Sequence, residues 1–496
     1  MSKHIRKVLG LLQHRKQIQQ IPPPHQQPTS RTPEEWSTYW KAQGQPWRTE
    51  PEIDKKRQEY LAKRRLITPN IEQGIYPFKD VEPKLTRADI EWLLATHQSG
   101  GICGPVDCSD ERQREREGLD LRGAHLEGED LSGLPLARIH GGLTFYEESS
   151  MLIEEREINE EPRERAAVLL QKAKLAGADL QEAFLRGANL QEAYLLGGNL
   201  QKAYLMDANL QKAYLVRAHL QEANLCGADL QEAYLWVANL QGAELVGAHL
   251  QEAFLRGANL QGAELLQVTL GNEIQVGPQL ADSQWGDVNL AVIKWTQVKI
   301  LGDEYVARQK RDSEGKTKGK QTRLSEYEAA VRANRQLAVA LQGQGLNEDA
   351  ARFAYRAQVL QKSVLWYQMT QQGTQFGQRM QALGGWLFSW FLFLLAGYGY
   401  RPRRALGWYL LTICVFAWAY YQAWACYHLE RVTHHPLSLI GAAIFSITAF
   451  HGRGFFLGGD LGYDNLVTIL GALEAVIGLL IELSFIATFT LRFFGK

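Results

Sequence analysis

Near its C-terminal end the chain contains SITAFHGRGFF, polar and glycine residues between two apolar stretches. A short apolar helix followed by a glycine-rich return is the layout of a pore loop, where backbone carbonyls replace the hydration shell of an ion. The pore-loop candidates are Thr448, His451, Gly452, Arg453 and Gly454. An ion-selective pore, a degenerate pore loop and a simple tight turn are the three alternatives.

The composition of this loop bears on which ion could pass. A potassium filter stacks the carbonyls of Thr-Val-Gly-Tyr-Gly, and only Gly452 and Gly454 match that pattern at residues 451–455. Arg453 places a positive charge where cations would move. The sequence therefore predicts low or non-potassium selectivity for any pore at this position.

Two carboxylates, Glu474 and Glu482, lie within the apolar stretch 466–489. A charged side chain at the centre of a bilayer costs about 2.5 to 3.5 kcal/mol on insertion scales, so both must face protein or water. They could form a helix-to-helix hydrogen bond in an oligomer, or they could line an ion path.

Other polar clusters do not have the spacing of an active site. Gly315, Lys316 and Thr317 match the end of a phosphate-binding loop, but Lys310 stands where the first glycine should be, which favours a solvated basic linker. His428, His434 and His435 have no fixed ligand geometry. We expect no enzyme, no catalytic residue, no cofactor and no metal.

The middle of the chain has a five-residue repeat, with leucine at every fifth position from Leu175 to Leu270. Five helical steps would move each leucine about 140° around an axis, so a helix cannot gather them on one face. Short Ala-x-Leu pieces separated by two turn residues can, because the first and third side chains of an extended piece point inward. The pattern predicts a coil whose turns stack about 4.8 Å apart.

These units, as in ADLQEAFLRGANLQEAYL, resemble the pentapeptide-repeat family. The resemblance implies a mainly β solenoid, a right-handed quadrilateral β-helix with four units per coil. Some members of that family imitate DNA and inhibit topoisomerases, but their rods are acidic, whereas this one carries Lys and Arg among its carboxylates. We therefore expect no nucleic-acid role; absence of gyrase inhibition by the isolated rod would exclude DNA mimicry.

The whole chain has no charge bias, with 54 basic and 54 acidic residues in 496. Its N-terminus lacks the apolar core of a secretory signal, so the domains before residue 383 are expected in the cytoplasm. Five scattered cysteines predict reduced thiols and not a disulfide framework.

Two stretches near the C-terminus are long enough to cross a bilayer of ~30 Å, residues 403–426 and 466–492. Arginines precede the first and follow the second, which predicts a multi-pass protein of the cell membrane with both termini in the cytoplasm. Residues 383–400 are expected to form an interfacial helix.

The stretch ALEAVIGLLIELSFIATFTLRFF is similar to the inner helix of the two-transmembrane ion-channel family that occurs fused to pentapeptide repeats. The resemblance implies a homo-oligomer, a tetramer if it forms a pore, and places a glutamate at Glu474 but not at Glu482. The expected organisation, in chain order, is a disordered tail 1–35, a helical region 36–118, a first coil 119–138, a helical insertion 139–172, the β-helix 173–300, a basic linker 301–323, a tetratricopeptide-like hairpin 324–382, the interfacial helix 383–400, span 403–426, an outer loop 427–465 with a pore-helix-like segment 436–450, and span 466–492.

The function predicted from these features is a membrane-anchored cytoplasmic scaffold that mediates protein interaction and carries a degenerate pore-loop module. Its expected partners are membrane lipid, further copies of itself and an unknown protein on the β-helix surface. The alternative is a tetrameric pore-loop channel with a cytoplasmic β-helix regulatory domain. An ion-flux assay in liposomes separates the two.

Overall fold

The computed structural model describes most of the chain in two compact units, Met1–Gly302 and Asp303–Lys496, which we treat separately. The predicted pore-loop residues Arg453 and Gly454, and the loop histidines His428, His434 and His435, lie outside the described residues. The described residues are 27–28, 32–144, 146–147, 161–271, 275–312, 314–371, 376–426, 438–452 and 466–493.

The first unit begins with a small helical region. Its elements are α1 (Pro33–Ala42), α2 (Lys55–Arg65), α3 (Arg87–Ala95) and a hairpin of β1 (Gln98–Ser99) and β2 (Ile102–Cys103). Helix α3 starts with a capping box in which Thr86 and Asp89 bond each other's backbone amides. Arg87 donates from Nη1 to the carbonyls of Asp130 and Ser132, at 2.8 and 3.1 Å, and so ties this helix to the first coil.

The β-helix that follows is built from bridges between residues 20 positions apart, as between Asn199 and His219. Twenty residues are four five-residue units, so each coil has four short sides. The leucines that recur every five residues from 170 to 270 are at most 5% exposed, and so are the alanines of these units. The core is therefore a stack of Leu and Ala side chains enclosed by backbone.

The corners of each coil are turns in which every fifth residue, from 172 to 267, has a positive φ. The amide of Ala183 bonds the carbonyl of Leu180 at 3.1 Å across one such turn, and Glu182, the third of its four residues, has φ +55°. This is the type II turn, whose third position favours glycine. Glycine occupies only some of these positions, and Val237, a β-branched residue, holds φ +57°.

Insertions enter the β-helix without breaking its register. Asp120 bridges His140, 20 residues later, whereas His125 bridges Leu169, 44 residues later, so 24 extra residues leave and return at one corner. Helix α4 (Glu161–Ala166) lies within this insertion. The insertion was expected to run to residue 172, but the bridge at Leu169 places its end earlier.

Five extra residues enter the β-helix near its C-terminal end. Phe254 bridges Gln279, 25 residues later, and two 3₁₀ turns follow at Leu290–Val292 and Trp295–Gln297. Trp295 is 2% exposed, and its indole donates a 2.9 Å bond to the Leu290 carbonyl. The large indole covers the last layer of the core.

The second unit starts with three helices, of which the last two form an antiparallel pair. These are α5 (Gly302–Arg308), which begins at the last residue of the first unit, α6 (Lys320–Gly343) and α7 (Asn347–Thr370). Tyr327 of α6 and Tyr367 of α7 stack at 5.7 Å. The expected linker 301–323 is thus partly helical.

The segment that matches the end of a phosphate-binding loop, for which the sequence favours a solvated basic linker, is a tight turn. Its amides point at a carboxylate, because Asp312 Oδ1 accepts from the amides of Glu314 and Lys316 at 3.0 and 2.8 Å. The Lys316 ammonium pairs with Glu314 at 2.7 Å. The donors that a phosphate would need are already engaged.

Four apolar helices complete the unit, namely α8 (Phe376–Ala396), α9 (Pro402–Cys426), α10 (Leu439–Phe450) and α11 (Leu466–Phe493). Helix α8 has 21 residues and begins seven positions before the expected interfacial helix 383–400. Tyr420, Ala442 and Val467 form one buried cluster among α9, α10 and α11. Leu395, Ile413, Phe450 and Ile481 form another.

Candidate functional site

The carboxylate of Glu474 is buried among α9, α10 and α11. Glu474, Tyr420 and Ser446 are all 0% exposed and come from α11, α9 and α10 respectively. Tyr420 donates a 2.7 Å bond to Oε2 of Glu474, and Ser446 Oγ contacts Oε1. Both carboxylate oxygens are therefore used to hold three helices together.

The hydroxyl of Ser446 has one proton and two oxygen neighbours. Besides Glu474 it lies 3.1 Å from the carbonyl of Ile413. Every oxygen is satisfied if the carboxyl donates to Ser446 and Ser446 donates to Ile413. The pattern is that of helix-to-helix hydrogen bonds inside one chain.

One turn further along α11, Gly478 allows a close helix crossing. A Cβ there would overlap the carbonyl of Phe450, the last residue of α10. Glu474, Gly478 and Glu482 are four residues apart and share one face of α11. That face includes the contacts of Glu474 and Gly478 with α10.

The C-terminal end of α10 is held by a second polar group. Nδ1 of His451 pairs with Glu482, and Nε2 lies 3.4 Å from the Tyr409 hydroxyl. The His451 and Glu482 side chains are 39% and 38% exposed. This pair therefore lies at the surface of the single chain, unlike Glu474.

The other pore-loop candidates that the structure describes, Thr448 and Gly452, form hydrogen bonds at the C-terminal end of α10. Thr448 donates to the carbonyl of Phe445 at 2.8 Å, within its own helix. Gly452 has φ +70°, and its amide bonds Ala449 at 2.9 Å, as at a left-handed helix end. Sequence reasoning identified neither Tyr420 nor Ser446; polar side chains inside otherwise apolar helices were the available signal.

The β-helix presents a column of aromatic rings on one side. Tyr194, Tyr214, Tyr234 and Phe254 stack at 4.7, 4.7 and 4.5 Å with planes within 5° of parallel. Trp236 stands edge-on to Tyr234 and to Phe254, at 6.0 Å from each. We call these five residues the aromatic column.

Comparison with known proteins identifies the repeat. The family model described as pentapeptide repeats matches eight copies, over residues 169–205, 203–235 and 238–272. This part of the chain is a pentapeptide-repeat β-helix. The match covers well under half of the chain and does not reach the second unit.

Solved structures of other proteins are similar to part of this chain. QnrB1, a plasmid-mediated fluoroquinolone resistance protein, is 17% identical and covers 38% of this chain and 83% of its own, with a TM-score of 0.25. Rfr23 from the cyanobacterium Cyanothece 51142 is 24% identical, with coverages of 34% and 88% and a TM-score of 0.17. HetL from the cyanobacterium Nostoc, involved in heterocyst differentiation regulation, is 25% identical, with coverages of 34% and 75% and a TM-score of 0.17. No curated protein matches the sequence.

Charges on the pentapeptide-repeat surface are paired between neighbouring coils. Lys172, Lys202 and Lys212 each face a glutamate 20 residues later, at 3.5 to 3.7 Å. Arg186 and Asp207 pair at 3.1 Å. At these corners a lysine of one coil therefore pairs with a glutamate of the next.

One helix of the described chain is long and apolar enough to cross a membrane, over Val467–Ile486 with a mean hydropathy of 2.2. Length and composition are the criteria, and the core helix of a soluble protein can meet them. Helix α10 is apolar but shorter, and α9, the other expected span, does not meet the same criterion over its described residues. Within the described ranges no three His, Cys, Asp or Glu side chains are grouped as metal ligands.

Proposed function

We propose that the protein is a membrane-attached scaffold that binds another protein through its pentapeptide-repeat β-helix. The aromatic column is the observation that supports protein binding. Its outer members stay accessible, with Tyr194 45% and Trp236 42% exposed, and Leu196 and Val237 beside them are 52% and 59% exposed. Trp and Tyr dominate the binding energy of protein interfaces.

The edges of the aromatic column support a protein partner. Lys212 and Glu232 form an ion pair at 3.5 Å on one side of the stacked rings, and Arg217 lies on the other. An aromatic centre with a charged rim is the usual composition of a non-obligate interface. The rigid backbone of the stacked coils lowers the entropy cost of binding.

Attachment to the membrane is supported by the outer surfaces of α8 to α11. Each helix exposes large apolar side chains, examples being Phe388 at 61%, Trp418 at 62%, Ile440 at 74% and Val476 at 60%. Soluble monomers rarely expose patches of this kind, so lipid or further protein must cover them. We propose lipid, with the arginines before α9 and the β-helix on the cytoplasmic side of the cell membrane.

Vesicle flotation tests attachment. The full chain, purified in detergent and mixed with phosphatidylcholine vesicles as the detergent is removed, should float with the lipid and resist extraction by sodium carbonate. Recovery as a monodisperse soluble protein without detergent would contradict it.

Site-specific photocrosslinking in cells tests the interaction surface. A crosslinker in place of Trp236 should give a discrete adduct of higher mass. Glu244, on another side of the β-helix, is the matched control. Equal labelling at both positions, or none at Trp236, would remove the aromatic column as the binding surface.

A pore is the second candidate, because α10 is a short apolar helix packed against both α9 and α11 with Gly452 at its end. This is the layout of a pore loop. A tetramer in detergent, with ion flux in liposomes that Gly452→Ala abolishes and Gly407→Ala preserves, would favour the pore. An oligomer without flux would leave the scaffold.

A further inference from the structure

The turn between α8 and α9 carries cations that pair with no carboxylate of the described residues. Residues 350–429 contain seven Lys and Arg and no Asp or Glu. Four of the seven lie close to this turn, and in the described part of the chain none has a carboxylate within ion-pair distance. We call them the turn cations: Lys362, Arg401, Arg403 and Arg404.

Two of the turn cations share one aromatic ring. The Lys362 ammonium lies 3.5 Å from the centroid of Phe393 and 4.2 Å from that of Trp390. The guanidinium carbon of Arg404 lies 5.0 Å from the same Phe393 centroid. Burial and then the charge of Arg404 lower the pKa of Lys362. Two like charges held this close create a potential that an anion would relieve.

Arg401 and Arg403 add two further cations at the same turn. Arg401 lies 4.8 Å over the Tyr355 ring, and both Arg401 and Arg403 are exposed. Arg404 donates to the Phe393 carbonyl at 3.2 Å, which fixes one arm of its guanidinium. The Lys362 ammonium donates no hydrogen bond to any described residue, so its three donors stay available.

The surroundings of the turn cations indicate where the anion comes from. Trp390, Trp408 and Trp366 are 38%, 39% and 45% exposed, and the Trp408 indole donates to the Leu394 carbonyl at 2.8 Å. Partly exposed tryptophans beside apolar helices are typical of the head-group level of a bilayer. The apolar faces of α8 and α9 begin at the same turn, where acyl chains could lie.

We propose that the turn cations bind the phosphate of an anionic phospholipid, with Lys362 and Arg404 as its inner ligands and Arg401 and Arg403 as its outer ones. This inference rests on the membrane attachment proposed above. It differs from a general attraction of basic residues to lipid, because two of the cations are fixed on one ring and require a particular phosphate position.

Lipid titration of the full chain tests the site. The protein in a non-ionic detergent is titrated with phosphatidylglycerol or with phosphatidylcholine of the same acyl chains, and bound lipid is counted by native mass spectrometry. Phosphatidylglycerol should bind more tightly. The double variant Lys362→Met, Arg404→Gln should weaken it roughly tenfold or more and leave phosphatidylcholine unchanged.

A matched control removes the same charge elsewhere. Lys299→Gln with Lys310→Gln takes away two exposed cations far from the turn in sequence and should keep the preference for phosphatidylglycerol. Equal loss in both double variants, or no preference in the natural protein, would overturn the site. If millimolar inorganic phosphate displaces the bound lipid as effectively as added phosphatidylglycerol does, the site binds phosphate in general, and a phospholipid is not its specific ligand. Failure of the vesicle flotation assay, in contrast, would reject membrane attachment itself.

Discussion

The hydroxyl of Tyr420 donates a 2.7 Å hydrogen bond to Oε2 of Glu474, and neither side chain is accessible to solvent. Tyr420 lies on α9 and Glu474 on α11, so this bond joins the two longest apolar helices. With Ser446 on the other oxygen, Glu474 is a structural link among three helices.

Replacement of Glu474 by glutamine should change little, because the amide can accept from Tyr420 and donate to Ser446. Glu474→Ala leaves the buried Tyr420 hydroxyl without its acceptor and should lower the free energy of unfolding by about 1–3 kcal/mol, besides the loss of packing. Thermal unfolding of the full chain in detergent measures both variants. Equal destabilisation by the two would show that a charge, and not the hydrogen bonds, is required.

Gly478→Ala should destabilise the second unit, since its Cβ would overlap the Phe450 carbonyl. The cost should reach the 1–3 kcal/mol typical of overpacking. Gly407→Ala, in α9 with nothing within 4 Å of the added Cβ, should instead be neutral or stabilise by about 0.5–1 kcal/mol. Melting temperatures of the two variants should move in opposite directions; a common shift would mean that α10 and α11 do not cross here.

Val237→Gly should stabilise the β-helix by about 1 kcal/mol, because valine holds a left-handed φ of +57° that glycine adopts without strain. Val216→Gly is the control. Val216 lies on the preceding coil, one residue before the corner residue Arg217, and does not have a positive φ, so this substitution should destabilise the β-helix. Thermal unfolding followed by circular dichroism measures both. A loss of stability in Val237→Gly would show that its packing outweighs the strain.

The β-helix should lose stability as the pH falls below the usual histidine value of 6.5. Burial lowers the pKa of His140, whose ring packs 4.8 Å from Phe184. Just below pH 6.5 the unfolded chain therefore binds a proton at this histidine that the folded chain does not. The contribution of His140 to the free energy of unfolding is complete above pH 6.5 and declines below it.

Unfolding between pH 7 and pH 5 should therefore be less pH-dependent in His140→Phe than in the natural chain. His219→Phe, at an exposed position of the same β-helix, is the control. An unchanged pH profile in His140→Phe would assign the dependence to other groups.

The β-helix could be predicted because its five-residue period is incompatible with a helix stripe and suits short extended pieces. The corner conformation could not, since Glu182 and Lys202 hold left-handed angles that their residue types do not favour. Tertiary hydrogen bonds between coils impose those angles. The 24-residue detour between His140 and Leu169 was visible as an interruption, but its end was placed too late because Leu170 already belongs to the coil.

In the second unit the sequence indicated that Glu474 faces protein or water, and the structure places it among side chains of its own chain. Its partners could not be named, because the crossing of α9, α10 and α11 decides which hydroxyls come within reach. The membrane spans, the pore and the oligomer remain predictions. Helix α9 shows why sequence alone does not decide between them, since its aromatic and polar residues are compatible both with a membrane span and with a helix of a soluble bundle.

The bridges at 20-residue spacing have a consequence for how this protein can change in length. Duplication of any 20 consecutive residues within the regular part would add one coil and about 4.8 Å while every side column keeps its alignment. Loss of one or two residues would rotate all later side chains out of their columns. The length of the β-helix can thus change only by whole coils. Insertions at a corner are the one form of variation in chain length that leaves the number of coils unchanged.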